Sequence, residues 1–578
     1  MPTAHDAPGT PRPAPFGDLP ASRGLGSGPA AGSGADPGPG AVGWWLLVPL
    51  VLSAFVRDWW SPDEPRYAEV AREAWTEGGL LVMHLCGEVY PNKPPLLFWI
   101  AGLLGRLSDW SEGWMRMASW GSTAATAAMT AHLARRWWGR AEAGWSVVVL
   151  LGGVMVQRIG AHLQLDLLLM ALCTGALVLV DHARDARRPD RAVLGAGLLT
   201  GLGVLTKGPV AILHVALAVT AWWWVARPAA VTFATRRAWF GALVLSLLPA
   251  ALWAGAASLA EPALAEALFY ETHMGRIVKG TRHAGPIWDY ALQLPLQLLP
   301  WTAAVWAGLR WSRRAGNEHA QGRTADDGLR RAALWFVLVF VVFSSIPVKR
   351  SLYLMPMYPA MALLAARGLT RSGWPARGTL RLASGTLALA GTLLVIAGVL
   401  ALGDPDDVKL SEADGMAWRA PLVGTACLAG AWMLCRAEGS ARVWARTLVG
   451  VVAVCATLAA LLIADALDPV ISDRGLGKAL AARPEEPASV PCLGLGPEGI
   501  RFYSGRYTVQ VVGSERFLSF LDTEGRQFLG VIDESEYLAL EVRERARLAV
   551  LHRAFESGDP ALVVGASPAL AAARPPGE

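Results

Sequence analysis

The sequence predicts an α-helical polytopic membrane protein of about 13 transmembrane helices, followed by a small extracytoplasmic α/β domain. Three observations carry this. The 578 residues are 53% hydrophobic and 17% charged, whereas soluble domains carry about 25% charged residues. Arginine clusters recur after every second apolar run. Beyond residue 466 the long apolar runs give way to short alternating ones. Such a composition excludes a disordered or fibrous chain, and six scattered cysteines with no CxxC exclude a disulfide scaffold.

Residues 1–42 are rich in Pro, Gly and Ala and too poor in large apolar groups to order themselves, so a disordered cytoplasmic tail is expected. The run from Val42 to Val56 is short, but Trp44, Trp45, Trp59 and Trp60 bracket it as interfacial indoles do. No clear small-x-small cleavage site follows, which argues against a signal peptide. Further apolar runs are centred near 123, 150, 173, 199, 217, 248, 301, 338, 360, 391, 428 and 456. Several of them, with their flanks, reach the roughly 20 residues that a crossing helix needs.

Arginine sets the sidedness. Arg135–Arg136, Arg184–Arg191, Arg227–Arg237, Arg310–Arg331, Arg367–Arg381 and Arg436–Arg446 follow alternate runs, which makes those loops cytoplasmic by the positive-inside rule. Leu96 to Leu107 is too short to cross and is expected as an interfacial helix on the outer face. The membrane part then occupies 43–465. The outer side receives 57–112, 157–166, 206–209, 259–291, 347–352, 403–418 and the α/β domain 466–578. In that domain Val490–Leu495, Tyr507–Val512, Gln527–Ile532 and Ala561–Val564 read as strands, and Glu515–Thr523 and Glu534–Phe555 as helices.

The unusual side chains crowd the outer loops. Asp63 and Glu64 open a helix with Pro65 in its first turn, a pattern that serves equally as a cap or as a pair of working carboxylates. Lys93 precedes Pro94 and Pro95, which stiffen the backbone and hold an ammonium at headgroup height, suited to a lipid phosphate or to simple anchoring. All six lysines (93, 207, 279, 349, 409 and 478) fall on the expected outer side of a chain that otherwise uses arginine. Asp166 opens an otherwise apolar helix, where a carboxylate is either functional or complements the helix dipole. His273, Arg276 and His283 lie in the long loop, and Lys349 to Tyr353 in a later one.

Asp63 to Glu69, Lys93 to Trp99, Asp166, Leu205 to Val210, the His273/Arg276/His283/Pro286 loop and Lys349 to Pro359 together resemble the polyprenyl-phosphate-sugar-dependent glycosyltransferases of GT-C fold. The group is family 39, which holds the bacterial lipid A aminoarabinose transferases and the protein O-mannosyltransferases. The resemblance implies Asp63 as catalytic carboxylate, with Glu64 beside it and Asp166 as a second carboxylate. It implies Lys93 on the donor phosphate, with Arg66, Arg276, Lys349 and Tyr353 as helpers and Tyr67 and Tyr90 nearby. Family members often carry Glu just before that Lys, where it joins the loop His in binding a divalent metal. His273 is the metal candidate here, and Asn92, a poorer neutral ligand, stands at the Glu position.

The implied activity moves a sugar from a polyprenyl-phosphate donor to a lipid A-like or protein acceptor at the outer face of a bacterial inner membrane. The lipid phosphate is already an anion, so it leaves best among cations. No Walker-type loop or GxGxxG context is present, so neither a nucleotide site nor a nucleic-acid partner is expected. A lipid-linked glycan ligase or polymerase would share the lipid and the phosphate. A transporter would instead place ionisable groups at mid-span, and these runs are nearly free of charge.

Overall fold

The computed structural model describes residues 39–226, 234–266, 285–320, 326–371, 377–400, 415–437, 441–556 and 558–567. Side chains are described to 314 in the third stretch and, apart from residue 379, from 381 in the fifth and from 443 in the seventh. Of the tail expected over 1–42, residues 1–38 fall outside this set, and Gly40 already begins a 3-10 turn, Gly40–Leu46, that runs into the helix Leu47–Val56.

Most apolar runs coincide with a helix; the one centred near 301 is instead broken at Leu298–Trp301, between Asp289–Gln297 and Thr302–Ala320. The helices between residues 117 and 260 are Met117–Trp137, Arg140–Leu151, Leu165–Ala183, Pro189–Lys207, Val210–Ala226 and Arg236–Ala260. Later ones are Thr302–Ala320, Asp327–Ser345, Tyr358–Arg371, Arg377–Leu400, Met416–Arg436 and Ala441–Leu458. Among the described residues, five stretches are long and apolar enough to cross a membrane by themselves: Leu165–Ala183, Arg236–Ala260, Asp327–Ser345, Arg381–Leu400 and Val443–Ile471. The protein is an integral membrane protein, built mainly of helices.

Burial sorts these helices. The apolar window of Leu165–Ala183 is 78% buried, that of Arg236–Ala260 only 22%. An apolar helix enclosed on all sides is central, whereas one left exposed has lipid as its solvent. Asp166 therefore stands at the mouth of the central helix. Small residues let neighbouring helices close up: a Cβ added at Gly391 or at Gly424 would come 2.6 Å from the other's carbonyl oxygen.

The sequence after 466 builds a mixed sheet. With β1 (His84–Leu85) and β2 (Glu88–Val89) forming a small hairpin in the first outer loop, the later strands are β3 (Val490–Leu493), β4 (Thr508–Val511), β5 (Leu529–Asp533), β6 (Leu548–Glu556) and β7 (Asp559–Ala566). Their order is β4-β3-β5-β7-β6, with β4, β3 and β5 parallel and β7 and β6 antiparallel. Leu476, Leu480 and Ile500 belong to one apolar cluster against the sheet, and Phe517, Leu518 and Leu521 to another.

One expectation is corrected here. Glu534–Phe555 is not one helix but two short ones, Glu534–Ala539 and Val542–Arg545, followed by strand β6. Its Leu, Ala, Arg and Glu favour helix locally. Pairing with β7 across the turn at Gly558, whose φ is +88°, overrides that preference.

Candidate active site

The site is assembled around the helix Asp63–Thr76. Its first two residues have opposite surroundings. Glu64 is 1% exposed and its carboxylate accepts four hydrogen bonds: from Arg57 Nη1 at 2.7 Å, Arg116 Nε at 2.9 Å, the Trp60 amide at 3.2 Å and the Leu163 amide at 2.9 Å. Arg116 is fully buried and also donates to the carbonyls of Ala54, Arg57 and Asp58 at 2.6–2.8 Å. Burial pushes the Glu64 carboxyl up, yet Arg116 and Arg57 outweigh it and hold the group well below the usual carboxylate range. Glu64 thus ties the head of the helix Asp63–Thr76 to the end of the first helix, to Arg116 and to the segment that leads to Asp166.

Asp63 is partly exposed and makes no hydrogen bond or ion pair with a described residue. It does not cap its own helix: Pro62 stands at the cap position, with no side-chain bond there. One turn on, Tyr67 is buried, and with Tyr90 it packs on Phe98, the ring centroids 6.0 and 5.9 Å away. Burial raises the Tyr67 phenol well above its ordinary value, and the negative charges of Asp63 and Asp166 add to the rise. Both carboxylates therefore lie within electrostatic reach of one phenol. Lys93 is half-buried and lies in the sequence between Tyr90 and the helix Leu96–Leu107 that carries Phe98.

Asp166 opens the helix Leu165–Ala183 and ion-pairs with Lys207, the last residue of Pro189–Lys207. The Lys207 ammonium also lies 4.7 Å from the centre of the Tyr353 ring. Lys207 is the residue that sequence reading left without a role, although it is one of the six outer lysines and sits in the matching stretch Leu205 to Val210. Only the three-dimensional meeting of two helix ends reveals its partner.

Lys349 differs from the expectation of a phosphate contact. Its ammonium donates to the carbonyls of Phe343, Ser344 and Ile346, the first two at 3.3 and 2.6 Å. Those three bonds use all the donors of an ammonium and close the C-terminus of Asp327–Ser345. Arg66 likewise turns elsewhere, to Glu498 Oε1 at 2.9 Å in the helix Glu498–Ser504.

That ion pair belongs to a wider clamp between the sheet region and the segment after the first helix. Arg501, 4% exposed, binds Glu69, Glu73 and Glu77 at 2.9, 3.2 and 2.8 Å, three carboxylates at four-residue spacing on one helix face. The Tyr503 hydroxyl accepts from the Trp59 amide at 2.9 Å and donates to Glu112 at 3.0 Å. Arg474 pairs with Asp58, and Ser61 donates to Asp473 at 3.2 Å. Burial pushes the Glu69 and Glu112 carboxyls up to about 7 despite their arginine partners.

Arg276, His273 and His283 lie in 267–284, outside the described residues. Among the described residues no cluster of three or more His, Cys, Asp or Glu is arranged to hold a metal ion. Asn92 is exposed and offers a neutral amide.

The fold defines the class: a polytopic, mainly helical membrane protein that carries a small mixed α/β region. A crystal structure of ArnT from Cupriavidus metallidurans in the apo state superposes with a TM-score of 0.71 at 19% identity, covering 92% of this chain and 99% of that one. The same protein bound to undecaprenyl phosphate gives 0.72, covering 90% and 97%. Residues 92–254 match the family described as dolichyl-phosphate-mannose-protein mannosyltransferase. The chain is also 30% identical over 339 residues to the undecaprenyl phosphate-alpha-4-amino-4-deoxy-L-arabinose arabinosyl transferase of Enterobacter sp. (strain 638), covering 56% of this chain and 57% of that protein. The enzyme of the same name from Edwardsiella ictaluri (strain 93-146) is 30% identical over 342 residues, covering 56% and 59%. The chain thus spans under two thirds of the length of the curated relatives it matches.

Proposed function

We infer that this protein is a membrane glycosyltransferase that moves a sugar from a polyprenyl-phosphate donor to a lipid A-like or protein acceptor. The reaction takes place at the outer face of a bacterial inner membrane, and the sheet region lies on that same side of a 13-span bundle. The names of the relatives make 4-amino-4-deoxy-L-arabinose the first sugar to test, on undecaprenyl phosphate.

The observation that carries this reading is the pairing of an unengaged carboxylate, Asp63, with a second one, Asp166, that is already matched to a lysine. As the bond from the anomeric carbon to the phosphate oxygen breaks, its electron pair stays on the phosphate. Lys93 and Lys207 stabilise that anion, and Asp166 orients Lys207. The new bond forms to an acceptor oxygen. If that oxygen is a hydroxyl, its proton passes to Asp63. If it is a phosphate, Asp63 instead stabilises the positive charge that develops at the sugar carbon.

The test is sugar transfer by the purified protein in lipid, with radiolabelled aminoarabinosyl and mannosyl polyprenyl phosphates as alternative donors. Lys93→Ala should lower donor use about 10- to 150-fold, the worth of one charge-assisted phosphate contact, and Lys93→Arg should rescue only in part. Wild-type turnover in Lys93→Ala would leave that lysine an anchor. Sidedness is read by impermeant thiol labelling in a cysteine-free background: Leu80→Cys and Leu538→Cys should label from outside, and Arg187→Cys only after permeabilisation. Labelling of Leu538→Cys solely from the cytoplasm would sink the 13-span reading.

A further inference from the structure

A groove of about 320 Å³ lies between the helices Thr302–Ala320 and Asp327–Ser345, away from the residues assigned above. Trp306, Arg310 and Arg313 face it from the first helix, and Arg330, Leu334 and Val337 from the second. Each set has the spacing i, i+4, i+7, so each is one face of its helix. The two helices pack on each other and the sequence joins them through the few residues between Ala320 and Asp327, so they are antiparallel and the arginines share the end nearest that link. Trp306 and Val337 lie about 10 Å further along, at seven residues of helical rise, and are 59% and 40% exposed. The groove is therefore cationic at one end and apolar at the other, with three arginines and no carboxylate in its lining.

Arginines at a membrane edge often only snorkel to the headgroups. Arg330 does more than that. Its Nη1 is buried and makes no hydrogen bond with a described residue, its one acidic neighbour there being an Asp327 oxygen in a long ion pair at 3.6 Å. A buried guanidinium nitrogen without an acceptor is costly, and an oxyanion in the groove would supply one.

We propose that this groove is a binding site for an anionic phospholipid. The headgroup phosphate sits among Arg310, Arg313 and Arg330, and one acyl chain lies along Trp306, Leu334 and Val337. Charge complementarity selects the acidic headgroup, and the exposed apolar end, continuous with the bilayer, selects a lipid over a free phosphate. The site is independent of the transfer reaction.

The experiment uses the full chain in detergent. Its melting temperature is followed while phosphatidylglycerol, phosphatidylcholine of the same chains, or inorganic phosphate is added, and native mass spectrometry counts retained lipid. Phosphatidylglycerol should raise the melting temperature by on the order of 2–4 °C near saturation, and the other two should not. The triple variant Arg310→Gln/Arg313→Gln/Arg330→Gln should lose the shift and retain lipid at least about tenfold less well. Arg187→Gln/Arg188→Gln, which removes two exposed arginines elsewhere, should keep it. If the triple variant does not fold, Arg310→Gln/Arg313→Gln, both exposed, carries the test. Equal shifts with phosphatidylcholine, a shift from phosphate alone, or an unchanged shift in the groove variants would each overturn the proposal.

Discussion

Asp63 and Glu64 are neighbours in sequence at the head of one helix, yet they face two differently built regions. On the Glu64 side every acceptor position is filled, by two arginines and two backbone amides, and almost nothing is exposed. On the Asp63 side the carboxylate has no described partner, and two tyrosines and a lysine-matched aspartate stand around it. A saturated charge builds structure because removing either half leaves the other buried and alone. A carboxylate with no partner among the described residues is free to meet something that arrives.

The sharpest way to break that contrast is to remove one negative charge from each residue in turn. Asp63→Asn keeps size and hydrogen-bonding capacity and should leave the melting temperature in place, while sugar transfer drops about 10²–10⁴-fold, the usual contribution of general-base catalysis. Full activity in that variant would move the catalytic assignment to Asp166. Glu64→Gln should do the opposite. It leaves Arg57 and Arg116 buried without their counter-charge, so stability should fall by about 3–5 kcal/mol, with activity lost only in proportion to the unfolded fraction. A stable, inactive Glu64→Gln would show that Glu64 belongs with Asp63 after all.

A smaller effect tests the clamp. Arg501→Gln should loosen the helix Asp63–Thr76 without touching substrate, lowering turnover about tenfold, in the range by which small misplacements slow reactions, and leaving donor KM nearly unchanged. A selective rise in KM would instead place Arg501 at the donor. Least of all is the effect of pH. The Glu69 and Glu112 carboxyls, pushed up to about 7, hold their protons more tightly folded than unfolded. Stability should therefore fall as pH rises from the ordinary carboxyl value near 4.5 to about 7, and level off above it. A thermal melt series from pH 5 to 8 should show a decline of a few degrees, roughly. The Glu69→Gln/Glu112→Gln pair should lessen it, with Asp468 and Glu556, raised into the same window, carrying the rest.

The sequence carried the helices well, because apolar length and arginine placement are properties of the chain itself, and apart from the run near 301, broken at Leu298–Trp301, the apolar runs became helices. It carried Asp63, Lys93 and Asp166 as residues worth naming, because charge beside an apolar run is conspicuous. It did not separate Asp63 from Glu64, since both sit in the first turn and only Arg116, 52 residues later, tells them apart. Lys349 read as one more outer cation until its ammonium proved to close a helix end three to six residues back. Strand β6 was hidden because its residues favour helix and its partner strand β7 lies across a turn that local propensity does not weigh. Arg501 was invisible for a related reason: its three carboxylates are more than 400 positions upstream.

That distance has a consequence for how the protein is made. Trp59, Arg66 and Glu77 leave the ribosome early, and their partners Tyr503, Glu498 and Arg501 follow 444, 432 and 424 residues later. At about 5–20 residues per second the wait is roughly 20–90 s. Throughout it Glu69 and Glu73 have only their local partners, Arg72 and the amides of Cys86 and Gly87. A chain cut short before Glu498 would lose all three distant partners and leave the clamp open. The clamp is thus among the last contacts that synthesis makes possible.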